Sequence, residues 1–178
     1  MHAEDGVPVT PPGRRLDPPE LLEVARRVGR AEDVWRERLE RCADDRTYVS
    51  LFLDEHVGVW AISWSEDTHD TGYHDHDRSC GAVYVADGVI RHEKLRLGHR
   101  PVGEPVAAGD GFCFDNSVIH RMRKEPGAPP TVTVHAYSPP LTFTGQYGDP
   151  GDGLLHRVPT GSEEHLSPKG GQGTDSTD

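Results

Sequence analysis

The sequence predicts an all-β domain, an antiparallel barrel or sandwich with short helices on its N-terminal side. Three observations carry that expectation. Apolar runs of strand length recur from Tyr48 to Tyr137. Gly, Pro and Asp turn signals separate them, and Asp87-Gly88 between two such runs reads as a hairpin. Helical periodicity is confined to about residues 20–43, and 178 residues suit one domain with short tails.

Residues 1–19 carry Pro8, Pro11, Pro12, Pro18 and Pro19 without periodic apolar positions, which predicts a flexible arm. From Glu20 to about Ala43, Leu21, Leu22, Val24, Ala25 and Val28, then Val34, Trp35, Leu39 and Cys42, follow helical spacing. Gly29 is the expected break between two short helices, and Asp17-Pro18-Pro19-Glu20 the expected helix start. Strands are expected at 48–53, 57–64, 81–86, 89–97, 102–106, 111–114 and 131–137. From about Thr160 the chain is rich in Gly, Ser, Asp and Pro, so 160–178 reads as a disordered tail and 20–159 as the folded domain.

Composition removes several classes of function. Nineteen Lys and Arg against thirty Asp and Glu give a formal charge of −11, and an acidic surface repels phosphate backbones, so no nucleic-acid partner is expected. No apolar run approaches the ~18 residues of a membrane span, and the N-terminus lacks a basic-then-apolar signal pattern. A cytoplasmic protein without a membrane partner is the expectation. Cys42, Cys80 and Cys113 form no CxxC pair, too few and too scattered for a disulfide scaffold or a zinc ribbon.

Eleven histidines remain, and their spacing carries the information. His74-Asp75-His76 puts two imidazoles on one face of an extended chain, their Cα atoms roughly 6.5–7 Å apart. At that separation both reach one metal, although imidazole suits Fe, Zn, Cu and Ni alike. The alternative is a pair of exposed loop histidines beside Asp75 and Asp77. His120 closes an apolar, strand-like run after the Gly109-Asp110 turn. Alone it reads as an ordinary packed residue; with the pair it completes a three-nitrogen face and leaves coordination positions open.

These motifs resemble the cupin superfamily. His74, His76 and Gly88 fit the first cupin motif, with Cys80 or Gly81 where an acidic ligand is usual. Gly109, Ser117 and His120 fit the second, with Ser117 in place of glycine. Three histidines without the acidic ligand, His120-Arg121-Met122, and Thr133-Val134-His135-Ala136-Tyr137-Ser138-Pro139-Pro140 resemble the cysteine dioxygenase (thiol dioxygenase) family over roughly residues 45–145. The resemblance implies a double-stranded β-helix, the cupin jelly-roll barrel, with one iron(II) ion (Fe2+) on His74, His76 and His120. It implies a small thiol and dioxygen as the molecules met, a sulfinic acid as product, and a monomer.

Thr133, His135 and Tyr137 alternate along one strand and so face one side. They are either a mixed polar strand face or, as the resemblance implies, a relay in which Thr133 orients His135 and His135 orients the Tyr137 hydroxyl. Two departures from the family pattern stand out. Gly81 occupies the place of a cysteine that some members link to the tyrosine, so no thioether to Tyr137 is expected, Cys80 being one residue away. Tyr48 matches a substrate-binding tyrosine, but Ser50 stands where the carboxylate-binding arginine is expected, and serine cannot make a two-pronged ionic pair. Arg46 shares the strand parity and is the substitute expected on sequence; Arg78, Arg121, Arg123 and Arg157 are further candidates. Two other readings remain open at this level: a metallocupin enzyme acting on a non-thiol substrate, and a cupin that only binds a ligand.

Overall fold

The computed structural model describes residues 8–9, 11–40, 47–96, 98–148 and 154–161. Two helices, α1 (Pro18–Arg30) and α2 (Glu32–Glu40), precede eleven strands. Asp17 caps α1: its side chain accepts from the N–H of Glu20 at 2.9 Å, while the Glu20 carboxylate accepts from the N–H of Asp17 at 3.0 Å. This reciprocal pair satisfies two donors that a helix start otherwise leaves unpaired. The helix buries Leu21, Val24, Ala25, Val28 and Gly29.

Gly29 does not end the helix, contrary to the sequence expectation. It lies inside α1, and a Cβ there would overlap the Tyr84 ring, so the glycine lets the helix approach the sheet. The break comes at Ala31, whose N–H donates to Val28 O at 3.1 Å. Within the arm expected over 1–19, Leu16 is buried and its N–H donates to Ser138 Oγ at 3.0 Å, so the chain is docked before α1 begins. Residues 1–7 and 10 of that arm lie outside the described residues, as do 162–178 of the expected tail.

The strands are β1 (Tyr48–Leu53), β2 (Gly58–Trp64), β3 (Tyr73–Asp75), β4 (Cys80–Asp87), β5 (Val89–Lys94), β6 (Val102–Ala107), β7 (Gly111–Phe114), β8 (His120–Lys124), β9 (Thr131–Ser138), β10 (Phe143–Gly148) and β11 (His156–Gly161). They form two antiparallel sheets, ordered β1-β2-β9-β4-β7 and β11-β10-β3-β8-β5-β6. This is the double-stranded β-helix that the sequence motifs imply. Among the described residues the ladders stay two sheets and do not close into a continuous barrel. Thr160 and Gly161, expected in the tail, pair with Thr144 and Phe143.

The central strands of the first sheet, β2, β4 and β9, are buried on both faces, which explains their near-continuous apolar sequences. Val59, Ala61, Ala82, Tyr84, Val134 and Ala136 pack under the helices. The alternate residues Trp60, Ile62, Trp64, Val83, Val85 and Tyr137 face the second sheet, meeting Ile90 and Met122. The site lies on this inter-sheet side, where a polar group is dry and must find a partner. No described helix is long and apolar enough to cross a membrane.

Candidate metal centre

His74 on β3 lies directly opposite His120 on β8, so the ladder brings the two rings to one face. His76 follows two residues after His74 and keeps its parity. All three side chains are fully buried. Their ring centroids lie 4.9, 4.7 and 4.8 Å apart for the pairs 74–76, 74–120 and 76–120. One nitrogen from each falls within 4.8 Å of the other two. Nε2 of His76 and Nε2 of His120 are 3.2 Å apart. Two imidazole bonds of about 2.0–2.1 Å meeting at a right angle place their nitrogens about 3 Å apart, so the pair has the spacing of neighbouring ligands on one ion.

The protonation states agree with that use. Burial, with the neighbouring histidines, holds His76 and His120 well below the ordinary imidazole range, so both stay neutral with a lone pair to give. Nδ1–H of His74 faces the Gly72 carbonyl at 3.0 Å, which assigns the lone pair to Nε2. His76 Nδ1 has no hydrogen-bond partner among the described residues. The three histidines therefore fit a transition-metal ion held by three nitrogens.

Asp75, between the two ligands, points the other way and fixes the strand. Its carboxylate accepts from Arg157 Nε at 2.7 Å and Nη2 at 2.9 Å, from the Tyr147 hydroxyl at 2.7 Å, and from the N–H groups of Asp77 and Gly145. Burial alone would raise the Asp75 pKa; these hydrogen bonds and the Arg157 charge outweigh it and hold the carboxyl far below the usual range. Local sequence thus places ligands on one face of β3 and a rivet to β10 and β11 on the other.

Opposite the histidines, on β9, Thr133, His135 and Tyr137 all face the inter-sheet space and are buried. Thr133 Oγ1 is 2.8 Å from His135 Nε2, and His135 Nδ1 is 3.2 Å from the Tyr137 oxygen. Trp64 Nε1–H donates to Thr133 Oγ1 at 2.8 Å, a member of the chain that the sequence did not reveal. The Thr133 hydroxyl hydrogen can then serve His135 Nε2, an arrangement that leaves the ring proton on Nδ1 for Tyr137. The Tyr137 ring lies 5.4 Å from the His76 ring. Burial pushes its phenol up, so it stays protonated.

Gly81 stands directly opposite Tyr137 in the ladder, and Cys80 opposite Ser138, with no shift of register between them. Cys80 packs with the helix-side cluster, while Tyr137 belongs to the inter-sheet cluster. The two side chains are on opposite faces of the sheet, in keeping with the expectation of no thioether. A Cβ on Gly81 would sit 2.5 Å from the Phe114 ring. Phe114 fills that space, 4.5 Å from the His76 ring and 4.6 Å from the His120 ring.

The substrate-binding expectations fare unevenly. Arg46 lies outside the described residues. Tyr48 is partly buried against the inter-sheet cluster, and Ser50 pairs with Trp60, whose ring is 5.4 Å from that of Tyr137. Three of the candidate arginines are paired with acids: Arg157 with Asp75, Arg121 with Asp70, and Arg123 with Glu93 at 2.8 Å. Arg78 is different. It lies with Arg15, Glu55 and Asp77 around a cavity of about 330 Å3 that reaches His76. Arg15 escaped the sequence reading because nothing local ties an N-terminal arm to the mouth of a distant site. His92 was also missed: its Nε2 is 2.9 Å from Nδ1 of His120.

Comparison with known proteins gives three results. The family model of cysteine dioxygenase type I matches residues 34–149. Cysteine dioxygenase type 1 of Danio rerio is 26% identical over 110 residues, covering 55% of this chain and 54% of that protein, so the chain spans about half the length of this curated relative. Among solved structures, a protein of Bacillus halodurans is similar at 19% identity and a TM-score of 0.48, covering 66% of this chain and 83% of that one. A cupin-2 domain containing protein from Shewanella frigidimarina is similar at 8% identity and a TM-score of 0.45, covering 57% and 89%.

Proposed function

The chain belongs to the cysteine dioxygenase type I family, and from that premise we propose that it is a mononuclear non-heme iron(II) thiol dioxygenase. The reaction joins RSH and O2 to give the sulfinic acid RSO2H, with both oxygen atoms in the product. The observation that carries the reading is the convergence of His74, His76 and His120 across one dry space from Tyr137, His135 and Thr133.

When bound, iron(II) supplies the charge that deprotonates a coordinating thiol and the electrons that engage dioxygen. The protein's part is orientation and proton control. His74, His76 and His120 would hold the ion through one nitrogen each and leave positions open for ligands. Phe114, stacked on His76 and edge-on to His120, gives the ligand side an apolar wall. The Tyr137 hydroxyl holds a proton at its oxygen, oriented by His135 and, through it, by Thr133 and Trp64.

Substrate choice falls to the cavity mouth. Arg121, Arg123 and Arg157 are committed to carboxylates within the fold, while Arg15 and the exposed Arg78, which is 3.6 Å from Asp77, line the opening itself. Glu55 and Asp77 stand with them. A mouth carrying both signs suits a zwitterion, so an amino thiol acid such as cysteine is favoured over a neutral or purely cationic thiol.

The test is oxygen uptake by the iron-loaded protein with cysteine, cysteamine, 3-mercaptopropionate and mercaptosuccinate. Uptake matched mole for mole by a sulfinate is expected with at least one, cysteine first. Uptake with none, beside uptake with a non-thiol acid, would replace this reading by that of a cupin oxygenase for another substrate.

A further inference from the structure

His92 belongs to no motif and to no residue set discussed for the reaction, yet it is built into the centre. It lies on β5, opposite Met122 of β8, and is 2% exposed. Its Nε2 is 2.9 Å from Nδ1 of His120, and the two ring planes stand at 89°. Its own ring lies flat on Phe112 of the opposite sheet, centroids 3.7 Å apart and planes within 5°. The imidazole is thus clamped by a strand on one side and an aromatic face on the other, with its nitrogen aimed at the back of the third ligand.

We propose that His92 is a positioning residue for the metal centre, accepting the Nδ1–H of His120 and so fixing the tautomer and angle at which His120 Nε2 meets the ion. The inference rests on the reading of the three histidines as a metal site. The chemistry requires a definite proton arrangement. His120 gives its Nε2 lone pair inward, toward His76 Nε2 at 3.2 Å. Its Nδ1 then carries hydrogen and needs an acceptor in a buried place, where an unmade hydrogen bond is costly. His92 Nε2 is that acceptor, and the His92 proton sits on Nδ1. The ligands differ in how they are held. His74 is held by a main-chain carbonyl, that of Gly72, which no side-chain substitution removes. His120 depends on a side chain, so its support is open to mutation.

Partners of this kind change metal affinity about 10–100-fold when removed. The proposal is tested by chelator competition for iron(II) and for zinc(II) in wild type, His92→Leu and His92→Gln, together with the melting temperature of each metal-free protein. Leucine should weaken both metals about 10–100-fold, and glutamine, whose side-chain carbonyl can accept the same hydrogen, should recover most of that loss. Imidazole 15N shifts of the zinc-loaded wild type should show His120 protonated on Nδ1 and His92 with an unprotonated Nε2, a readout independent of how the variants fold. Unchanged affinity in His92→Leu, or a His92 ring protonated on Nε2, overturns the proposal alone. A wild type that takes up no metal overturns the metal-site reading and the proposal with it.

Discussion

Replacing Asp75 by asparagine separates charge from shape on the strand that carries two of the three ligands. The carboxylate accepts two bonds from Arg157, at 2.7 and 2.9 Å, one from Tyr147 at 2.7 Å, and main-chain bonds from Asp77 and Gly145. Asparagine keeps one oxygen but turns an NH2 group toward donors. Hydrogen bonds to a charged group contribute about 1.5–3 kcal/mol each, and breaking a buried ion pair costs about 3–5 kcal/mol. Arg157 is 38% exposed and water takes up its charge once Asp75 is gone, so the expected loss is smaller, about 2–3 kcal/mol. The sign of the pH dependence follows from the depressed pKa of Asp75. Its contribution is complete above the unfolded-state value of about 3.9 and is lost as pH falls toward the lower folded-state value. Urea unfolding of wild type and Asp75→Asn should therefore differ by about 2–3 kcal/mol at pH 7, with the gap narrowing below about pH 4. A gap that is absent at pH 7, or that does not change with acidification, would refute the assignment of Asp75 as a charged rivet.

Other substitutions probe the centre from different sides. Gly81→Ala puts a Cβ 2.5 Å from Phe114 and 2.9 Å from Tyr137, so it should cost about 1–3 kcal/mol by overpacking, read by thermal or urea unfolding. Gly81→Cys should show no thioether to Tyr137 by mass spectrometry unless Phe114 is also made smaller. Tyr137→Phe should keep the fold and the metal but lower oxygen uptake with the preferred thiol about 10–100-fold; an unchanged rate would remove the hydroxyl from the account. Trp64→Phe deletes the donor to Thr133 and should cost about 1 kcal/mol of stability, with a smaller loss of rate than Tyr137→Phe. Arg15→Ala with Arg78→Ala should raise KM for thiols that carry a carboxylate and leave cysteamine unaffected, since cysteamine has none.

Much of the fold was legible because the first sheet is written in apolar runs. Strands β1, β2, β4, β7 and β9 are each buried on at least one face and read as such. The strands missed belong to the second sheet. β8 reads His-Arg-Met-Arg-Lys, which looks like surface. Its outward Arg121 and Arg123 are neutralised by Asp70 and Glu93, residues far away in sequence, while Met122 faces the core. β3 is three residues long and gains its strand character from β8 and β10. The ligands were legible for a physical reason: a metal demands three donors at fixed geometry, and two of them at i and i+2 leave a local trace. The Thr133, His135 and Tyr137 alternation is local in the same way. His92 and Trp64 act through contacts with residues 28 and 69 positions away, and Arg15 lines a cavity with His76, 61 positions on. No spacing rule reaches that far, although His92 does share its inward parity with Ile90.

That His74, His76 and His120 hold one ion underlies every role assigned to the residues around them. It is tested most directly by elemental analysis after anaerobic loading with iron(II) and desalting, comparing wild type with His120→Ala of verified fold. One iron per chain in the wild type and close to none in the variant is the predicted result. Equal iron in both would place the ion elsewhere and contradict the account.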